Sequence, residues 1–348
     1  MFLTTSGKKY IRSSLLGKGA YGSVYQCFDD KGNEYAYKNF IHNEDSSGLE
    51  LGGIREISIL KKLDHPNIVN VVDTVVDIGK MGMILPKALC NLDIAIKGEF
   101  FNKEQKNKIA CQVIDAMSYM HSRWYIHRDI KPDNVLIFKE GGEFNVKIAD
   151  LSLATCGYES FGDTHTSSAG TSCYKAPEVG DNSDGEKSNY SMLVDEWSLG
   201  VVLLELYVGK IERKTLKKIQ NIKNSLDESD KINVVIKGFL EVDPAKRLPC
   251  QKALKMLGKE TEYEKSNVFG IKPIKSVKVA AMPYKINNEL TMRMASYYVK
   301  RTGCEEIWGL KLASKLYELQ EITLDDEYKE EYEEAEVCII KDLEWNIM

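Results

Sequence analysis

Eight residues, His127-Arg128-Asp129-Ile130-Lys131-Pro132-Asp133-Asn134, constrain this chain more than any other stretch. They set an acid, a lysine and a carboxamide on one short loop at fixed offsets. Asp129 is placed to orient a hydroxyl and accept its proton, Lys131 to steady a moving phosphate, and Asn134 to hold a metal ion. Phosphoryl transfer asks for such a set. One motif can arise by chance, so its weight depends on partners in the right order and spacing.

Composition leaves that chemistry room. The chain has 348 residues, 43% hydrophobic and 28% charged, enough for two domains with sizeable cores. A net charge of −5 gives no footprint for nucleic acid or a membrane surface. The eight cysteines form no CxxC pair, and no His/Cys cluster has zinc spacing. Free thiols in a reducing compartment are expected, intracellular in cytoplasm or nucleus. Met1 to Ser6 has no signal-peptide pattern, and the apolar run Leu199 to Val208, interrupted by Glu205, is too short to span a bilayer and reads as a buried helix.

The first part of the chain reads as β-rich. Strands are expected at Tyr10 to Leu16, Val24 to Phe28 and Glu34 to Phe40, the last two joined by the turn Asp29-Asp30-Lys31-Gly32-Asn33. Residues 54–63 carry helical spacing, closed by Pro66, and strand character resumes at Ile68 to Val76 and Met81 to Leu85. From about residue 102 the pattern turns helical: one long amphipathic element before the loop, then helices at 195–209, 213–225, 231–241 and 250–257. A composition shift begins at 258, with Pro273 and Pro283, and residues 261–285 read as a linker. Residues 286–348 read as helical and acidic towards their end.

Gly17-Lys18-Gly19-Ala20-Tyr21-Gly22-Ser23-Val24 fits GxGxxGxV. It lies between two strands, so a dinucleotide fold, which needs a strand followed by a helix, does not fit. A glycine-rich hairpin brings backbone amides close to phosphates because no Cβ intervenes. Alone it is equally a plain turn. Sixteen residues after Gly22 stands Lys38, in Tyr35-Ala36-Tyr37-Lys38, placed to reach the α- and β-phosphates of ATP. Glu56, on the next helix, would pair with it. Beyond the loop, Asp150 in Lys147-Ile148-Ala149-Asp150-Leu151-Ser152 is placed to bind Mg²⁺ together with Asn134. Ala176-Pro177-Glu178 follows, with Arg247 placed to pair with Glu178; Asp195 is by itself a routine helix cap, and it resembles the buried helix acid that braces the backbone of such a loop.

Together these motifs make residues 10–260 resemble a protein kinase of the cyclin-dependent class. The resemblance implies an α+β, bilobal fold with a β-rich N-lobe and a helical C-lobe. It also implies ATP and Mg²⁺ as cofactors, and protein Ser/Thr hydroxyls as acceptors because of Lys131. Where the family has Asp-Phe-Gly this chain has Asp150-Leu151-Ser152, and serine restricts the backbone where the segment pivots. Leu51-Gly52-Gly53-Ile54-Arg55-Glu56-Ile57-Ser58 resembles the PSTAIRE helix, the surface that receives a cyclin. Tyr21 matches the family's inhibitory tyrosine, with Ala20 in place of its threonine neighbour. Thr166 matches the activating threonine, and Arg55 and Arg128 match two of the arginines that grip its phosphate. Thr155 stands where the third would be.

In the tail, Ala313-Ser314-Lys315-Leu316-Tyr317-Glu318 and the stretch from Glu336 to Trp345 resemble late helices of a cyclin box, Lys315 and Glu336 matching the pair that touches the kinase. The expected partners are therefore protein substrates, and a cyclin in trans or this tail in cis, through Ile54, Lys315 and Glu336. Three generic amphipathic helices are the plainer alternative for the tail. For the whole chain the alternative is a pseudokinase or scaffold that binds or competes for cell-cycle partners, motivated by Ser152 and Thr155.

Overall fold

A computed structural model describes residues 1–19, 22–40, 51–77, 80–156, 165–166, 172–179, 187–188, 192–259 and 263. Ala20, Tyr21, the expected linker at 261–285 apart from Tyr263, and the tail with Lys315 and Glu336 lie outside the described residues. The described chain falls into two units: residues 1–64 with 70–87, and residues 65–69 with 88–263.

The first unit is a six-stranded antiparallel sheet with one helix. Its strands are β1 (Phe2–Leu3), β2 (Lys9–Gly19), β3 (Gly22–Phe28), β4 (Glu34–Phe40), β5 (Asp73–Asp77) and β6 (Lys80–Pro86), and α1 spans Leu51–Lys62. The order is β1-β2-β3-β4-β6-β5. In the β3–β4 turn the Asp29 carboxylate accepts from the backbone N–H of Lys31 (2.9 Å) and of Asn33 (2.8 Å), which closes the expected hairpin. Side chains alternate across β4. Tyr35 and Tyr37 join a core of Tyr10, Cys27, Val75 and Ile84, with Phe2 packed at 4.4 Å from the Tyr37 ring. Burial pushes the Tyr10 and Tyr37 phenols up to about 12, so both stay neutral. Ala36 and Lys38 take the opposite face. Gly53 lets α1 settle against this unit, since a Cβ there would strike Phe40 and Met81. Residues before Tyr10 belong to the same sheet: β1 pairs with β2, and Thr4 donates to the Asp73 carboxylate at 2.7 Å.

The expected strand at Ile68 to Val76 is corrected to Asp73–Asp77. The backbone of Asn67 to Val69 is spent elsewhere: Val69 N–H donates to Ile148 C=O (2.9 Å) and Ile148 N–H to Asn67 C=O (2.8 Å). β-Branched composition alone does not reveal which strand a segment will pair with.

The second unit is built on helices. After β7 (Cys90–Asn91) come α2 (Leu92–Lys97) and α3 (Lys103–Ser122). Strands β8 (Tyr125–Ile126), β9 (Val135–Glu140), β10 (Glu143–Ile148), β11 (Thr155–Cys156), β12 (His165–Thr166) and β13 (Lys187–Ser188) follow, then α4 (Leu193–Val208), α5 (Leu216–Ser225), α6 (Lys231–Phe239) and α7 (Cys250–Met256). A reciprocal capping box starts α3: Asn102 accepts from Gln105 N–H, and Gln105 accepts from Asn102 N–H. The expected helix at 213–225 begins instead at Leu216, because Thr215 caps it. α2 had no counterpart among the expected helices. Its six residues are too few to display a period, although Asn91 caps it by accepting from Ile94 N–H. α4 carries Leu199, Val201, Val202, Leu203 and Leu204 fully buried, each worth about 1.5–3 kcal/mol. Among the described residues no helix is long and apolar enough to cross a membrane.

Candidate active site

In the first unit the alternation of β4 turns Lys38 away from the tyrosine core and towards α1. Its ammonium donates to both carboxylate oxygens of Glu56, at 2.8 and 2.7 Å. The side chains are 11% and 1% exposed, so the pair is desolvated and its members strongly depend on each other. Gly22 begins β3 where a Cβ would meet the Asn39 carbonyl, whereas Gly17 lies over open space and Gly19 nearly so. Lys18 and Val24 lie on the strands flanking the hairpin tip, and Val24 pairs with Lys38 across β3 and β4. Residues Gly53 to Leu60 of α1 are all buried, Arg55 and Glu56 included, and Ile54 is 0% exposed.

In the second unit the loop after β8 gathers the other candidates. Lys131 Nζ lies 2.6 Å from Asp129 Oδ2. The Asn134 amide donates to the Asp129 carbonyl (2.8 Å) and carboxylate (3.2 Å). Ala149 N–H donates to the Asn134 carbonyl at 2.9 Å, tying the loop to the segment that carries Asp150. Arg128 (φ 65°) and Asp150 (φ 62°) both hold left-handed backbone, a conformation costly for side-chain-bearing residues and concentrated at functional sites.

Asp195 pays for part of that strain. Its carboxylate, on a side chain 1% exposed, accepts from the backbone N–H of His127 (2.8 Å) and Arg128 (2.9 Å). The cap of α4 is Met192, without a side-chain bond, so bracing the loop is the role Asp195 fills rather than capping. His121, from the end of α3, reaches Asp195 at 3.0 Å and Glu196 at 3.2 Å. Burial opposes charge on the His121 ring, but Glu196 and Asp195 outweigh it and hold the ring well above the usual histidine range. Burial likewise opposes the Asp195 charge, yet His121 and the loop N–H groups lower it.

Ser152 does more than limit the backbone. Its hydroxyl donates to Asp150 Oδ1 at 2.9 Å, and Asp150 rather than Ser152 takes the left-handed turn. Thr155 is buried and pairs with Ile126 in β11–β8. Arg128 Nε donates to Leu153 C=O at 2.6 Å. Thr166 pairs with Lys187 through the backbone. Arg247 makes a bidentate bond to Glu178 (2.6 and 2.9 Å) and also donates to Leu193 C=O (2.6 Å), with its guanidinium over the Trp197 ring. A second buried network was not foreseen: Glu205 of α4 accepts from Tyr174 Oη (2.7 Å), Ile211 N–H (2.9 Å) and Lys214 (3.0 Å). Its one sequence signal was an acid inside an apolar run.

A strand-rich unit presenting a buried Lys–Glu pair, and a helical unit presenting an Asp–Lys–Asn loop braced by a buried helix acid, define the protein kinase architecture. The chain belongs to that family: the model for the protein kinase domain matches residues 10–257. Similar proteins include cell division control protein 2 homolog 3 of Trypanosoma brucei brucei, 35% identical over 206 residues (58% of this chain, 64% of that protein). Cyclin-dependent kinase-like 4 of Mus musculus is 32% identical over 216 residues, 58% of each chain. Serine/threonine-protein kinase stk11 of Xenopus laevis is 29% identical over 260 residues, 70% of this chain and 59% of that protein. The match thus spans less than two thirds of each of these relatives.

Proposed function

We propose that this chain is an active Ser/Thr protein kinase of cyclin-dependent type, moving the γ-phosphoryl group of ATP to a protein hydroxyl. The observation that carries the reading is the Lys38–Glu56 ion pair, formed at 2.7 Å while the Asp129–Lys131–Asn134 set is also assembled. In the family's logic that Lys–Glu pair must be formed, and a metal must sit on the acid that Asp150 supplies here, for the enzyme to be active. Lys38, held by Glu56, takes the α- and β-phosphates. The hairpin of Gly17, Lys18, Gly19, Ala20, Tyr21, Gly22 and Val24 offers backbone N–H groups to the phosphates. Asp129 accepts the proton of the attacking hydroxyl as its oxygen bonds to phosphorus and the bond to the β-phosphate oxygen breaks. Lys131, already on Asp129, offsets charge on the moving phosphoryl group.

The donor set suits Mg²⁺. Asp150 offers carboxylate oxygens, and Asn134 spends its amide nitrogen on Asp129, leaving its oxygen for a hard cation. When bound, Mg²⁺ neutralises the β- and γ-phosphate oxygens. Arg55 and Arg128 would grip a phosphate on Thr166, and a phosphate on Tyr21 would set negative charge beside ATP.

Substrate labelling with Mg-ATP followed by phosphoamino acid analysis tests the reading. Phosphoserine or phosphothreonine is expected. Absence of turnover in the parent chain would favour the scaffold instead.

The partner reading rests on the sequence: Leu51 to Ser58 resembles the PSTAIRE helix. The occupant we infer for it is the cyclin-like tail, through Lys315 and Glu336.

A further inference from the structure

Three residues far apart in sequence meet behind the loop brace. His121 ends α3, Glu196 lies in the first turn of α4, and Cys250 starts α7. One ligand atom from each falls within 4.8 Å of the other two. The Nδ1 of His121 stands 3.2 Å from Glu196 Oε1. The Glu196 side chain is 3% exposed, and its second oxygen, Oε2, has no hydrogen-bond partner among the described residues. Leaving a buried acceptor unmet is costly, more so on a carboxylate. All three residues border a cavity of 240 Å³ whose wall also includes Ser118, Ser122 and Gln251.

We propose that His121, Glu196 and Cys250 bind one divalent cation of borderline softness, with Zn²⁺ the best chemical match. Imidazole, thiolate and carboxylate together select zinc over Mg²⁺ or Ca²⁺, which prefer oxygen alone. Ligand atoms around tetrahedral zinc stand roughly 3.3–3.7 Å apart. The His121–Glu196 edge is 3.2 Å already, and the two pairs with Cys250 lie within 4.8 Å. The His121 Nε2 contact to Asp195, at 3.0 Å, is the carboxylate–histidine arrangement that orients a metal-bound imidazole. The fourth position faces the cavity and takes water, with the serines and Gln251 as polar neighbours. Binding expels one proton from the His121 ring and one from the Cys250 thiol, so the net charge of the cluster is unchanged. The cation would tie the ends of three helices together next to Asp195, separately from the Asn134–Asp150 pair.

The probe is Co²⁺ added to the chelator-stripped full chain under a non-thiol reductant. The expected result is one equivalent bound, with tetrahedral ligand-field bands and a thiolate-to-cobalt charge-transfer band, displaced by Zn²⁺. Cys250→Ser should abolish the charge-transfer band, while Cys111→Ser keeps it. Glu196→Gln should weaken Zn²⁺ at least about tenfold, as losing even an outer partner does. If Cys250→Ser does not fold, Glu196→Gln decides. No thiolate band in the parent, a band unchanged in Cys250→Ser, or unchanged affinity in Glu196→Gln would overturn the site, leaving His121 as a strut between two carboxylates. None of these readouts depends on kinase turnover.

Discussion

At the scale of single residues, the departures from the kinase pattern are chemical, not only steric. Ser152 occupies one oxygen of Asp150 through its hydroxyl. A hydrogen bond of this kind is worth about 1 kcal/mol net, roughly fivefold in an equilibrium constant. Ser152→Gly should therefore lower the Mg²⁺ concentration for half-maximal turnover several-fold; a Mg²⁺ titration of the rate reads this, and an unchanged midpoint refutes it. Lys38 poses the opposite case. Sequence alone makes Lys38→Met a loss of phosphate binding with the fold intact. Because Glu56 is 1% exposed, the variant also strips a buried carboxylate of its ion-pair partner, a change that costs up to about 3–5 kcal/mol. Thermal unfolding should show Lys38→Met well below the parent, whereas Asp129→Asn, nearly isosteric, should unfold close to it. Equal midpoints for parent and Lys38→Met would mean that Glu56 is held by other groups.

At the scale of elements, what local pattern controls was legible. β3 and β4 follow from runs of aromatic and β-branched residues, β6 from the apolar stretch Met81 to Leu85, α3 from its period, and α4 from its apolar run. The Asn102–Gln105 cap fixes where α3 begins. What long-range pairing controls was not legible. Ile68 looks like a strand residue until Ile148 claims its neighbours, and α2 is too short to show a period. The Glu178–Arg247 pair was readable because the motif order placed both ends, but the carbonyls of Leu193 and Glu241 that Arg247 also serves were not. Those extra bonds make Arg247→Lys a severe change, since an ammonium cannot reproduce the planar fork. A drop of several degrees in Tm is expected, and an unchanged Tm would show the pair to be dispensable. The proposed partner of α1 is tested at this scale too: if the tail activates in cis, a chain ending at Lys285 should lose most of its phosphorylation activity, and undiminished activity would exclude the tail as that partner.

At the scale of the molecule, the two units divide the labour that the motif order implied. The sheet unit holds Lys38 on Glu56, and the helical unit holds Asp129, Lys131, Asn134 and Asp150 around a loop braced by Asp195. The candidate chemistry was legible because each participating group sits in a short motif. The cluster of His121, Glu196 and Cys250 was not, because three helix ends separated by 75 and 54 residues meet only through packing. The central claim is that Asp129 serves phosphoryl transfer. Side-by-side rates of ³²P transfer from Mg-ATP by the parent chain and Asp129→Asn test it most directly. Measurable turnover is expected in the parent and a fall of about 10²–10⁴-fold in the variant; equal rates in the two would contradict a role for Asp129 in the transfer.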